Sequence, residues 1–281
     1  MTLITSLLVL ALQVGPNPSV ISPLGTPDEL RNRPERAPQE KSIEQDPAAL
    51  WLAECLGMLP DQAARAHSLA QLRRNDSAGR DRILANHCLG LAATELGLWD
   101  DAIGAFIAAR DDTPGDEMRA KARFGAMAGN AALAAQDLER SATLLKTARS
   151  DAQAAASAPM QAIIASDLAR VLVATGQLED ALAELDLSTQ LIPDEAGTWL
   201  LKATLLRRLE RLDEAQTAIE EASTLAPADP AIGLEAGVIA VLSGREDAAR
   251  TSWQSVIDLA PSSPEALTAQ GYLAQIEPAA S

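Results

Sequence analysis

The chain carries one pattern of sequence four times, as LGLWDDAIGAF (residues 96–106), TGQLEDALAEL (175–185), LERLDEAQTAI (209–219) and SGREDAARTSW (243–253). The last three copies each place an alanine at the same point, at Ala181, Ala215 and Ala249, so they recur with a period of 34 residues. Periods of about 20–50 residues mark arrays in which one supersecondary unit is stacked on the next. The sequence therefore predicts a stack of similar units.

The copy at residues 209–219 shows the physical basis of the pattern. Small Ala215 is followed four residues later by bulky Ile219 and eight residues after that by Pro227. A small residue allows two antiparallel helices to approach closely, the bulky residue fills the space between them, and proline ends the second helix. No single helix pair buries its own apolar face, so neighbouring pairs must supply the core.

This spacing resembles the tetratricopeptide repeat (TPR) family, and the resemblance extends over about residues 83–276. Five repeats follow the family pattern, beginning at Ile83, Ala122, Ala162, Ala196 and Pro230. Asn86, at the fourth position of the first repeat, and Gln153, in place of the second repeat's proline, depart from it. The resemblance implies an all-α fold, an α-solenoid of antiparallel helix pairs that forms a right-handed superhelix.

The first two repeats are longer than the others. Ala102 and Ser141 are 39 residues apart, and Ser141 and Ala181 are 40 residues apart. Connections between helices tolerate insertions because they run over the surface. The extra residues therefore indicate a lengthened helix or loop. The alternative is a local change in superhelical curvature that shapes a binding face.

The repeats lie in a chain of three parts. Residues 1–13 contain the short apolar run Leu3–Leu12, which cannot span a membrane and is typical of a signal peptide. Residues 14–45 hold six prolines and show no helical period, so we expect a flexible linker. The solenoid is predicted to occupy residues 46–281, as an N-terminal cap helix pair (46–82), five repeats (83–263) and a closing helix with a tail (264–281).

The signal-peptide-like segment at residues 1–13 favours export across a bacterial inner membrane, which would place the protein in the periplasm. No Lys or Arg precedes the apolar run, and Ala11-Leu12-Gln13 lacks the usual pair of small residues at a cleavage site. The alternative is therefore an uncleaved tail on a cytoplasmic protein. No other stretch reaches the roughly 18 uninterrupted apolar residues of a transmembrane span.

The composition limits the classes of partner. A net charge of −16 and a pI near 4.5 argue against binding to nucleic acid or anionic lipid, since both need a surplus of Lys and Arg. The sequence has two histidines and two cysteines, and it has no Gly-rich phosphate-binding loop. We find no constellation for catalysis, for a metal or for a small-molecule cofactor. The chain is therefore predicted to be no enzyme and to bind a protein or peptide.

In TPR proteins the first helices of the repeats line a concave groove. Carried over position by position, the resemblance places in this groove Arg123, Asn130, Arg170, Leu200, Thr204 and Arg207, with Arg208 beside them. Arginine pairs well with carboxylates, so we expect an acidic peptide segment to dock there. The alternative is that these arginines pair with acids of the array itself, for instance Arg207 with Glu210.

The predicted function is a non-catalytic protein–protein interaction scaffold that binds a peptide segment in the groove. The alternative is a periplasmic holdase or assembly factor for exported or outer-membrane proteins, which would recognise extended apolar segments. A scaffold is expected to bind a few specific partners, whereas a holdase is expected to suppress the aggregation of many unrelated chains.

The two ends of the array carry one expectation each. Cys55 and Cys88 fall on helices that should be stacked neighbours, so a disulfide between them is geometrically possible; the alternative is two buried free thiols. The fifth repeat would leave an apolar end at Leu234, Val238, Val241 and Leu242, which either the final helix or a partner covers. We favour the final helix.

Overall fold

The computed structural model describes residues 46–276, so the predicted signal peptide (1–13) and linker (14–45) lie outside the described residues. Within that range the chain forms thirteen helices and no strand, which confirms the predicted all-α fold class. The helices are α1 (Pro47–Gly57), α2 (Leu59–Asp76), α3 (Gly79–Glu95), α4 (Trp99–Asp112), α5 (Met118–Ala134), α6 (Leu138–Ala154), α7 (Ala158–Ala174), α8 (Leu178–Leu191), α9 (Ala196–Arg208), α10 (Leu212–Leu225), α11 (Pro230–Leu242), α12 (Glu246–Leu259) and α13 (Pro264–Ile276).

The helices pack in sequence order. The five repeats correspond to the pairs α3/α4, α5/α6, α7/α8, α9/α10 and α11/α12, and each pair packs more extensively within itself than against the next pair. First helices of successive repeats also touch, as α5 does with α7 and α9 with α11. Each unit thus contacts chiefly its neighbours, which is the defining property of a solenoid.

Small residues of the first helices form the contact with the second helices. Gly129 of α5 faces Leu145 of α6, and an added Cβ at Gly129 would lie 2.6 Å from Leu145 Cγ. An interior glycine costs a helix about 1 kcal/mol relative to alanine. Here it lets a large side chain, which is fully buried, fill the space between the helices. On the second helices α8 and α10, the repeating alanines Ala181 and Ala215 are also fully buried.

Short turns with one left-handed residue join the first and second helices of the repeats. Gly97, Gly176 and Gly244 provide this residue in three turns, with φ between 68° and 79°. Ala156, with φ 47°, is the left-handed residue of the turn between α6 and α7. This turn joins the second repeat to the third, a connection at which the family pattern has a proline. The second repeat therefore ends in a turn of the kind found inside repeats, which accounts for Gln153 in place of proline.

The extra residues of the longer repeats lie in helices. The helices α5, α6 and α7 have 17 residues each, whereas α9 to α12 have 13 or 14. The lengthened helix that the sequence indicated is therefore observed, and a change in superhelical curvature stays a prediction.

The N-terminal end of the array is built around two cysteines. Asp46 accepts a hydrogen bond from the Ala48 backbone N–H and so caps α1, which begins with Pro47. The helix α1 contacts both α2 and α3. Cys55 of α1 and Cys88 of α3 are joined as a disulfide, with Cα atoms 6.3 Å apart. Both lie in an apolar cluster that connects the predicted cap to the first repeat.

The C-terminal end is covered by α13. Leu234, Val238 and Val241 pack against a cluster to which α13 contributes Ala266 and Ala269. The expectation that the final helix covers the apolar end of the fifth repeat is therefore confirmed for these three residues, while Leu242 stays exposed.

Ion pairs link the second helices of successive repeats. Arg110 of α4 pairs with Asp151 of α6 at 2.8 Å, and Arg149 of α6 pairs with Glu184 of α8. These side chains are mostly buried, so solvent screens them less than it would screen a surface pair. They add a polar component to the contacts between neighbouring repeats.

Candidate peptide-binding site on the first helices

The predicted groove residues all lie on first helices. Arg123 and Asn130 belong to α5, Arg170 belongs to α7, and Leu200, Thr204 and Arg207 belong to α9. We call the surface formed by α3, α5, α7, α9 and α11 the first-helix face. The structure brings Arg170 and Thr204 to one cleft and leaves the other four outside its lining.

This cleft, the α7–α9 cleft, has a volume of about 200 Å³. Its lining consists of Ser166, Ala169, Arg170, Val173, Leu185, Leu201, Thr204, Leu205 and Arg208. The lining is mostly apolar, and its two charged groups are both guanidinium groups. A second cleft of about 270 Å³ shares Ser166, Arg170 and Leu201 with it, so the two form one continuous depression.

Position on the helix decides which leucines reach the cleft. Leu201 lines it and Leu200, one residue earlier, does not, although both pack on the core cluster of the third to fifth repeats. Successive helical residues point about 100° apart, so a shift of one position moves a side chain to another surface. The buried lining residues of the cleft, Ala169, Leu185 and Leu205, were not predicted as site residues. In the sequence they have the spacing of ordinary core positions.

Arg170 is held by a buried carboxylate. Its Nη1 donates to Asp167 Oδ1 at 2.7 Å, and Asn130 Nδ2 donates to Asp167 Oδ2 at 2.9 Å. The Asp167 side chain is only 4% exposed, and burial raises the pKa of its carboxyl while Asn130 and Arg170 oppose the rise. Arg170 thus belongs to an internal network and still presents a half-exposed side chain to the cleft.

Arg207 is engaged elsewhere. Its Nε donates to Glu235 Oε1 of α11 at 2.7 Å, so the pairing with Glu210 that the sequence indicated is wrong. Glu210 occupies the turn after α9 with φ 62°, whereas Glu235 lies on the neighbouring first helix. The alternative that groove arginines pair within the array therefore describes Arg170 and Arg207.

Arg123 and Arg208, two of the arginines that the sequence places in the groove, form no ion pair with a described residue. Arg208 lines the α7–α9 cleft, and the Arg123 guanidinium carbon lies 5.0 Å from the ring centroid of Phe124. Both are exposed. On a chain with a net charge of −16, they offer positive charge to an external carboxylate.

His87 of α3 lies beside Arg123. Its ring meets the edge of Phe124 at 5.4 Å between centroids, and no described group hydrogen-bonds its Nδ1. Burial, and then the positive charge of Arg123, lower the pKa of His87 to about 4. His87 is therefore neutral near pH 7 and adds no charge to the first-helix face.

No group of three or more His, Cys, Asp or Glu side chains in residues 46–276 is arranged to hold a metal ion. None of the helices described there combines the length and the apolar character that crossing a membrane would require.

Stacked helix pairs with a cleft between first helices define a repeat-type binding scaffold. A model of the tetratricopeptide repeat family matches residues 126–196 and 200–276, and the chain belongs to this family. TPR arrays are protein–protein interaction scaffolds with protein or peptide partners, and they are generally non-catalytic.

Solved structures of other TPR proteins share the fold. PilF of Pseudomonas aeruginosa is 17% identical, with a TM-score of 0.61 over 80% of this chain and 97% of that one. The C-terminal part of a TPR protein from Cytophaga hutchinsonii is 10% identical, with a TM-score of 0.58 over 80% of this chain and 86% of that one. A MamA fragment from Desulfovibrio magneticus RS-1 is 16% identical, with a TM-score of 0.53 over 66% and 99%. At these identities the likeness concerns the fold alone. No curated protein sequence matches the chain significantly.

Proposed function

We propose that this chain is an exported, non-catalytic scaffold that binds an acidic peptide segment in the α7–α9 cleft. The observation that carries the proposal is the lining of the cleft, where an apolar floor lies between Arg170 and Arg208 and no carboxylate takes part. An otherwise acidic chain thus offers a local site for an aliphatic side chain flanked by negative charge.

The size of the cleft suits one large apolar side chain. A cavity of roughly 150 Å³ holds a benzene-sized molecule. The α7–α9 cleft, at about 200 Å³, has room for a leucine or phenylalanine side chain over Val173, Leu201 and Leu205. The second cleft beyond Arg170 continues the depression, but Asp167 and Glu195 line it, so an extended segment would place a neutral residue there and its acidic residue on the side of Arg208.

The charges define the flanking residues. Asp167 is paired with Arg170 and accepts a hydrogen bond from Asn130, which reduces its repulsion of an incoming carboxylate. Arg208 has no described partner and would gain a charge-assisted hydrogen bond. Thr204 adds a hydroxyl group able to bond the peptide backbone. The expected ligand is therefore an aliphatic or aromatic residue adjacent to Asp or Glu.

The proposed location is the periplasm. The apolar run Leu3–Leu12 and the joined pair Cys55 and Cys88 both support export, because disulfides persist in oxidising compartments. Chemical labelling of the protein in intact cells by a reagent that does not cross the inner membrane tests this point. Protection of the protein until the cells are lysed would overturn it.

The test of the binding proposal is crosslinking in cells followed by mass spectrometry. Wild type is compared with Arg208→Glu and with Arg65→Glu, an exposed arginine on α2 that serves as the matched control. We expect Arg208→Glu to lower the recovery of a small set of partners about tenfold, which corresponds to about 1.4 kcal/mol. The control should retain them.

Two results would count against this proposal. If Arg208→Glu recovers the same partners as wild type, binding lies outside the α7–α9 cleft. If wild type recovers many unrelated chains and suppresses their aggregation, the protein is the holdase that the sequence left as the alternative.

A further inference from the structure

The final helix, α13, has the same pattern of residues that the first helix α11 uses to contact its second helix, α12. In α11, the residues Gly233, Gly237 and Ala240 face α12, where Trp253 and Val256 pack over the two glycines. The residues 34 positions later in α13 are Leu267, Gly271 and Ala274. They lie one turn apart along one side of the helix, as their counterparts do.

This side of α13 has no second helix over it among the described residues. Leu267 is 65% exposed, and an added Cβ at Gly271 would meet no heavy atom within 4 Å. At the equivalent Gly237, an added Cβ would overlap the Trp253 ring. The opposite side of α13, which carries Ala266 and Ala269, is buried against the array.

We propose that a second copy of this chain covers this side of α13, with the two α13 helices antiparallel about a two-fold axis. In such a contact the same patch is used by both copies, so it must be complementary to itself. Leu267 and Ala274 flank Gly271, so an antiparallel pair sets Leu267 of each copy against Ala274 of the other. This reproduces the bulky-on-small contact that joins helices throughout the array.

The charge of α13 favours self-association at this place over others. Two copies of a chain with a net charge of −16 repel each other over most of their surface. The helix α13 has the sequence PEALTAQGYLAQI, in which Glu265 is the single charged residue. The residues that border the exposed face, Thr268, Gln270 and Gln275, are neutral and exposed. Two α13 helices therefore meet without opposing like charges at the contact.

The interface leaves the α7–α9 cleft free, because the two surfaces share no residue. A dimer would present two clefts to its partners, and paired sites raise the apparent affinity for a partner with two binding segments. Self-association through α13 does not depend on the proposed peptide ligand, because the two contacts use different surfaces.

The test is the mass of the purified full chain by sedimentation velocity, from low to several hundred micromolar. The variants are Leu267→Glu and Gly271→Arg, and Gly104→Arg is the matched control. An added Cβ at Gly104 of α4 also meets no heavy atom within 4 Å, so both arginines enter open helical positions. Circular dichroism verifies that each variant retains wild-type helicity.

We expect wild type and Gly104→Arg to form dimers that dissociate on dilution. Leu267→Glu and Gly271→Arg should raise the dissociation constant at least tenfold. A wild type that is monomeric across the whole range overturns the proposal, as does a dimer that both α13 variants leave unchanged.

Discussion

Trp253 of α12 lies directly over Gly237 of α11, and its indole Nε1 donates a hydrogen bond to the backbone carbonyl of Leu234 at 3.1 Å. The ring also contacts Tyr272 of α13 at 5.2 Å between centroids. One buried side chain thus joins three consecutive helices. The contact exists because Gly237 has no Cβ.

Gly237→Ala is therefore expected to destabilise the protein, because the new methyl group overlaps the Trp253 ring. Overpacking of this kind costs about 1–3 kcal/mol. The matched control is Gly271→Ala, in open space on α13, which should stabilise the helix by up to about 1 kcal/mol through helix propensity. Thermal unfolding followed by circular dichroism measures both, and a Gly237→Ala variant as stable as wild type would contradict this packing.

Ala156→Gly is expected to stabilise the protein. Ala156 has φ 47° in the turn between α6 and α7, a conformation that costs a residue with a Cβ about 1–2 kcal/mol. Glycine removes this cost, although its greater freedom in the unfolded chain offsets part of the gain. Ala154→Gly, at the end of α6, is the control and should destabilise. A lower melting temperature for Ala156→Gly would show that the turn adopts another conformation.

The Arg110–Asp151 pair is expected to couple neighbouring repeats. Its side chains are 23% and 12% exposed, and a double-mutant cycle with alanine should give a coupling energy of about 1–2 kcal/mol. The exposed Arg140–Asp100 pair, at 3.7 Å, provides the comparison and should give less than about 0.5 kcal/mol. Equal coupling in the two cycles would mean that burial does not strengthen the first pair.

His87 predicts a dependence of stability on pH. Its pKa of about 4 in the folded protein is below the ordinary 6.5, so its contribution is present above pH 6.5 and is lost as pH falls towards 4. Between pH 7 and pH 4 the free energy of unfolding of wild type should fall by about 3 kcal/mol more than that of His87→Gln. Denaturation at several pH values tests this, and parallel curves for the two proteins would contradict it.

The disulfide predicts the response to reduction. Because Cys55 and Cys88 close a loop of 33 residues, loss of the bond should cost about 3–4 kcal/mol. We expect a reductant to lower the melting temperature of wild type and to leave a Cys55→Ser, Cys88→Ser variant unchanged. Alkylation of both thiols in unfolded, unreduced protein would identify the two free thiols that the sequence left as the alternative.

The sequence was most informative where the period is strict. The spacing of Ala181, Ala215 and Ala249 predicts the buried contacts of α7 to α12, because a repeat translates local spacing directly into packing. The turn at Ala156 was not predicted, because alanine rarely adopts a positive φ and its presence in a sequence does not indicate a turn.

The candidate site was predicted only in outline. The family pattern placed Arg170 and Thr204 on first helices, and both line the α7–α9 cleft. It could not supply the Arg207–Glu235 pair, because the partners lie on different helices and their distance depends on how the repeats are stacked. Side-chain partners across an interface are a property of the three-dimensional arrangement, which spacing along one helix does not contain.

Site-specific photocrosslinking in cells tests the central claim most directly. A photoreactive residue is placed at Thr204, in the α7–α9 cleft, and in a second protein at Thr217, exposed on the second helix α10. Peptide mapping of the products then identifies what each position contacts. We predict that Thr204 crosslinks to a few partners through segments with an aliphatic or aromatic residue beside Asp or Glu, and that Thr217 does not. Crosslinks to the same partners from Thr217 and none from Thr204 would contradict a peptide-binding site in the cleft.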